Sequence, residues 1–144
     1  MLNTHSGQCL CGKIRFNLTG EPLASRLCWC QDCQRLASNG TVNVLVKSAD
    51  LEVQGELAAY EKTADSGNTV TRRFCPSCGS HLFSNSTGRA GMTVVRVGTF
   101  NDPSAFKPTA NIWASRAPAW ACLDADLERF ETAPPTPPAP KPAA

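Results

Sequence analysis

Apolar and polar side chains alternate with a period of two along much of this chain. Ile14, Phe16 and Leu18 point one way and Arg15 and Asn17 the other, until Gly20 ends the run. Such alternation marks a half-buried strand. Similar short runs predict strands at Leu23–Cys28, Thr41–Val46, Leu51–Val53, Val70–Phe74, Leu82–Ser84 and Met92–Val97, the last being richest in β-branched residues. Ser66-Gly67-Asn68, Ser86-Thr87-Gly88 and Asn101-Asp102-Pro103 supply turns between them. No apolar pattern of helical period is long enough for a major helix. The best helical segment is a turn or two after Cys33, through Gln34–Ala37. The chain reads as mostly β.

Residues 1–132 read as one domain, a size that can bury a sizeable core. From Ala133 the composition changes to a run of proline and alanine. Proline removes the amide donor and fixes φ, so residues 133–144 are expected to form a disordered, polyproline-like tail. With a net charge of +2, and Arg72-Arg73 as the only adjacent basic pair, no nucleic-acid partner is expected. That pair reads as a solvated strand end. No window approaches the roughly 20 apolar residues of a membrane span, and no secretory leader is visible after Met1. The expected location is the cytoplasm, where clustered cysteines serve as metal ligands more often than as disulfides.

Seven of the eight cysteines fall into three groups: Cys9 and Cys11; Cys28, Cys30 and Cys33; Cys75 and Cys78. On a strand, residues two apart share a face, so each C-x-C can turn two sulfurs toward one ion. Cys75-Pro76-Ser77-Cys78-Gly79 has the form of a zinc-binding turn. Four thiolates close a tetrahedral zinc site, whereas three leave a position for water or substrate. The count suggests one closed, structural zinc on Cys9, Cys11, Cys75 and Cys78 and one open zinc on Cys28, Cys30 and Cys33. Spacing alone also allows Cys75 and Cys78 to close on members of the triple. Cys122, between Ala121 and Leu123, reads as a buried thiol acting as a small hydrophobe.

Three thiolates on a zinc dication leave a net charge of −1, which weakens Lewis acidity and favours a soft sulfur as fourth ligand. A thiol-bearing substrate follows from that preference. Arg35 and Arg72 are candidate clamps for its anionic groups, Arg35 because it stands two residues from Cys33. His81 and Asp32 are the nearby acid–base candidates, although a hydrogen-bonded structural histidine is the plainer role for His81. Trp29 reads as packing, Trp113 and Trp120 as core or cavity wall, and His5 as part of a frayed terminus.

At these residues the chain resembles the glutathione-dependent formaldehyde-activating family, which includes a centromere protein V branch. The matching segments are Gly7-Gln8-Cys9-Leu10-Cys11-Gly12, Cys28-Trp29-Cys30-Gln31-Asp32-Cys33-Gln34-Arg35 and Phe74-Cys75-Pro76-Ser77-Cys78-Gly79-Ser80-His81-Leu82-Phe83. Gly98-Thr99-Phe100-Asn101-Asp102-Pro103, Ile112-Trp113 and Ala117-Pro118-Ala119-Trp120 are similar to the family's later half. The resemblance implies two stacked antiparallel sheets, a β-tent. It implies the same four-cysteine and three-cysteine partition, with Zn2+ at both sites. It further implies a carbon–sulfur lyase acting on glutathione or an adduct such as S-hydroxymethylglutathione, at Cys28, Cys30 and Cys33. The alternatives are a non-catalytic zinc module for a macromolecular partner, or an enzyme using another small thiol adduct. The chain departs from the family in having Trp29 and Asn111 where histidine is frequent.

Overall fold

The computed structural model describes residues 2–135. Its strands are β1 (Thr4–Gln8), β2 (Arg15–Thr19), β3 (Ala24–Cys28), β4 (Thr41–Lys47), β5 (Leu51–Gln54), β6 (Ala58–Thr63), β7 (Thr69–Phe74), β8 (His81–Ser86), β9 (Met92–Arg96), β10 (Ala110–Ile112) and β11 (Glu128–Arg129). One short helix, α1 (Gln31–Ala37), joins β3 to β4. β1-β2-β5 form a three-stranded sheet, and the other strands form an eight-stranded sheet in the order β11-β10-β3-β4-β9-β8-β7-β6. Pairing is antiparallel except at β10, which lies parallel to both β3 and β11.

The two sheets enclose one apolar core. β2 sends Phe16 and Leu18 inward behind Ile14, and all three are essentially sealed from solvent. They meet Val44 and Val46 of β4, Leu82 and Phe83 of β8, and Val95 of β9. The Phe16 ring meets Phe83 and Phe100 edge-on, each with 5.2 Å between centroids. Full burial of each such side chain stabilises the fold by about 1.5–3 kcal/mol. Gly7 stands opposite Phe16 in the β1–β2 register, and a Cβ there would run into the Phe16 ring and the Thr99 carbonyl. Close approach, not backbone freedom, makes this position glycine.

β4 is buried on both sides. Val44 and Val46 belong to the intersheet core, whereas Leu45 faces away from it, onto a cavity on the outer face of the large sheet. Cross-strand register builds that face: Arg26 of β3 stands across from Asn43 of β4, which stands across from Arg96 of β9. Further along, Ser84 of β8 is opposite Arg72 of β7.

Four strands lie outside the sequence expectations. β1 buries only Gly7 and β6 runs exposed along the sheet edge, so neither shows apolar alternation. β10 and β11 are too short to display a period. His5, expected to fray, is instead held in β1 with its ring 4.7 Å from that of Phe106. Arg72, read as a solvated strand end, is buried, while Arg73 is exposed. Ala133 and Pro134 lie against the cavity, so the first residues assigned to the tail have a defined place. Residues 136–144 lie outside the described residues.

Candidate metal centres and the cavity beside them

The turn between β1 and β2 carries Cys9 and Cys11, and the turn between β7 and β8 carries Cys75 and Cys78. All four sulfurs lie within 4.8 Å of one another. Cys9 and Cys11 Sγ are 3.6 Å apart, and Cys11 and Cys75 Sγ are 3.7 Å apart. Tetrahedral zinc with bonds of about 2.3 Å separates its sulfurs by about 3.8 Å, so the spacing fits that ion. The irregular register between Arg73 and Phe74 turns the chain into the second pair. Backbone bonds then fix each turn: Gly12 N donates to Cys9 O at 3.1 Å, and Gly79 N donates to Cys75 O at 2.8 Å. Gly12 and Gly79 both have positive φ, at 80° and 78°, a region costly for other residues.

The protonation of these thiols is mutually dependent. The Ser80 hydroxyl, helped by the Ser80 amide, lowers Cys78 to about 5. Cys11 rises to about 11: the Lys13 amide favours its thiolate, but burial and the neighbouring cysteines outweigh it. Four thiolates in one place repel, and a divalent cation removes that conflict. The donor set therefore suits zinc.

The second cluster arises from six consecutive residues. Cys28 ends β3, Cys30 caps α1, and Cys33 sits in the first turn of the helix, again with sulfurs within 4.8 Å. The Cys33 amide donates to Cys30 Sγ at 3.3 Å, so this thiol takes the place of the usual serine or aspartate cap. That cap starts the helix at Gln31, three residues before the expected Gln34, and places Cys33 on it. Hydrogen bonds from Cys28 and Cys30 hold Cys33 well below the usual thiol range, and the Arg96 charge and Thr41 hydroxyl add to this. The same sharing of protons with Cys30 and Cys33, together with burial, pushes Cys28 well above it. Three acceptors thus converge where a soft cation fits and a fourth ligand position stays open.

This cluster forms one end of a cavity of about 280 Å³ on the outer face of the large sheet. Arg26, Lys62, Arg72, Arg89 and Arg96 all line it, against Asp32 and Asp65. Asp32, between two of the cysteines, receives Lys62 Nζ at 2.7 Å on one oxygen and Arg72 Nη2 at 3.3 Å on the other. Arg96 donates to Asn43 Oδ1 at 2.5 Å and to Thr41 Oγ1 at 3.2 Å. These five basic residues thus collect in one concavity.

Several expected site residues lie elsewhere. Arg35 is exposed on α1 and is not part of the cavity wall, whereas Arg72 is. His81 stands outside the wall, stacked on Phe74 with 5.3 Å between ring centroids, and its Nδ1 has no hydrogen-bond partner among the described residues. Burial, then the charges of Arg96 and Arg72, lower its pKa. Cys122 is exposed, a correction to its reading as a buried thiol, because the loop that carries it never enters the core. Trp120 is likewise exposed, while Trp113 does line the cavity. Trp29 and Asn111 are buried away from the cavity lining. Arg26, Lys62, Arg89 and Arg96 escaped sequence reasoning because they are scattered along the chain. A signal did exist for Arg26: it stands two residues before Cys28 on the same strand, and so on the same face.

The family described as glutathione-dependent formaldehyde-activating enzyme matches residues 4–116. The chain belongs to this family. Its match spans both cysteine clusters and every strand except β11. A crystal structure of a Rhodobacter sphaeroides protein has a similar fold, with a TM-score of 0.56 and 22% sequence identity over 69% of this chain and 93% of that one. A comparison with curated protein sequences gives no match. Among the described residues no helix is long and apolar enough to cross a membrane.

Proposed function

We propose that this glutathione-dependent formaldehyde-activating family member is a zinc-dependent carbon–sulfur lyase-type enzyme. Its substrate in this reading is glutathione or a glutathione–aldehyde adduct such as S-hydroxymethylglutathione. The observation that carries the reading is the meeting of three convergent thiols with a cavity whose cations outnumber its carboxylates. Cys9, Cys11, Cys75 and Cys78 would hold a structural zinc, and Cys28, Cys30 and Cys33 a reactive one. When bound at the three-thiol cluster, zinc supplies a soft Lewis-acid position suited to a substrate sulfur.

The chain's own residues do the rest. The cavity arginines favour a carboxylate-bearing peptide and orient it with its sulfur toward the cysteine end. Asp32 lines the cavity, which His81 does not, and is the proposed proton acceptor. In the lyase direction, the hydroxyl proton of the adduct passes to an Asp32 oxygen, the aldehyde carbonyl forms, and the carbon–sulfur bond breaks with its electron pair left on sulfur. Lys62 and Arg72 hold that carboxylate in place. Trp29 and Asn111, where the chain departs from family habit, are buried outside the cavity lining.

The test uses zinc-loaded protein with millimolar glutathione in a calorimeter, and then glutathione with formaldehyde followed by NMR exchange. Binding heat and accelerated exchange of the adduct are expected, with the acceleration lost in Cys30→Ser. A wild-type protein that gives neither heat nor acceleration would sink the reading.

A further inference from the structure

The cavity holds more positive charge than its own carboxylates absorb. Arg72 is satisfied in part by Asp32, and Arg96 is tied to Asn43 and Thr41. Arg26 and Arg89 are different. Both are half-buried in the cavity wall, and among the described residues neither forms an ion pair. The Arg26 guanidinium makes one side-chain hydrogen bond, a 3.4 Å contact from Nη2 to the Pro135 carbonyl, and Arg89 makes none. Both line the wall of the same cavity, with no carboxylate paired to either among the described residues. Cys28 lines the same cavity. Two half-buried like charges cost stability with no internal compensation, and an arriving anion removes that cost.

We propose that Arg26 and Arg89 form a carboxylate-binding subsite that selects thiols bearing a carboxylate on the arm reaching this wall. This rests on the thiol-substrate reading above and deepens it. Two planar guanidiniums can hold one carboxylate through parallel N–H bonds, a geometry that lysine cannot reproduce. The subsite and the cysteine cluster would then fix the ligand at two points, so its sulfur is placed by its own acidic arm.

Two measurements separate the subsite from the overall function. In the first, wild-type protein is titrated with succinate, a dicarboxylate without sulfur, while the arginine side-chain Nε–H resonances are followed by NMR. The Arg26 and Arg89 signals should shift and that of exposed Arg35 should stay. Absence of a shift at both overturns the subsite even if glutathione binds. In the second, zinc-loaded wild type, Arg26→Gln, Arg89→Gln and Arg89→Lys are titrated with glutathione, γ-glutamylcysteine and cysteinylglycine. Each glutamine variant should weaken glutathione binding ten- to a hundred-fold at unchanged zinc content, and Arg89→Lys should restore only part of it. The half-peptide lacking the selected carboxylate should bind wild type and variants alike. Equal glutathione binding by wild type and both glutamine variants, or equal losses for both half-peptides, overturns the proposal. A wild type that ignores glutathione yet shows the succinate shifts removes the glutathione reading and keeps the subsite.

Discussion

At the residue scale, Asp32 shows how one carboxylate can organise a cationic wall. Its two partners are unlike: Arg72 is buried and its Nε has no acceptor among the described residues, while Lys62 is about half exposed. Removing the carboxylate leaves a buried guanidinium without its counter-charge, whereas removing the lysine breaks only a solvated pair. Asp32→Asn should therefore cost about 1.5–3 kcal/mol of stability in urea unfolding, and Lys62→Ala less than about 1 kcal/mol. Equal costs would show that the Arg72 pair contributes nothing beyond its surface neighbour. Arg72→Met combined with Asp32→Asn should recover part of the loss, because the orphaned charge is then gone.

At the element scale, α1 depends on a cysteine of the three-thiol cluster for its own start. Cys30 Sγ accepts the Cys33 amide as an N-cap, and serine can do the same with oxygen. Cys30→Ser should leave the far-UV circular dichroism and the melting temperature nearly unchanged while elemental analysis shows one zinc per chain lost. Unfolding, or retention of two zincs, would mean that the roles of the clusters are reversed. The elements also show what sequence can and cannot reveal. β2 and β4 were legible because they bury apolar residues at regular positions, and the three cysteine groups because ligand spacing is local; which groups meet was implied by the family resemblance and left open by spacing. β6 was not legible, since an exposed edge strand is held by backbone bonds that leave no mark on side-chain pattern. Arg35 suggested itself as the clamp through nearness in sequence. The cavity instead draws Arg26, Arg72, Arg89 and Arg96 from three strands and a turn, a grouping fixed by cross-strand register.

At the scale of the whole molecule, the four-cysteine cluster joins the two sheets. Cys9 and Cys11 follow the last residue of β1 in the small sheet, and Cys75 and Cys78 follow β7 in the large one, with Cys11 and Cys75 separated by 64 positions. A metal held there closes a long loop and adds its binding energy to folding. Cys75→Ser should lower the thermal midpoint steeply or prevent folding, an effect well beyond that of Cys30→Ser. A Cys75→Ser protein that melts like wild type would refute the structural role of this cluster.

The separation of ligands along the chain also sets how fast each ion can be exchanged. An ion on Cys28, Cys30 and Cys33 would be held by six consecutive residues that line a cavity, so a local opening of one helical turn would release it. An ion on the other four would bridge turns from both sheets, so its release would need two separate turns to open together. On the zinc assignment proposed above, one protein would carry two clocks for the same metal. The fast one would keep time with free zinc, and the slow one with the joint between the sheets.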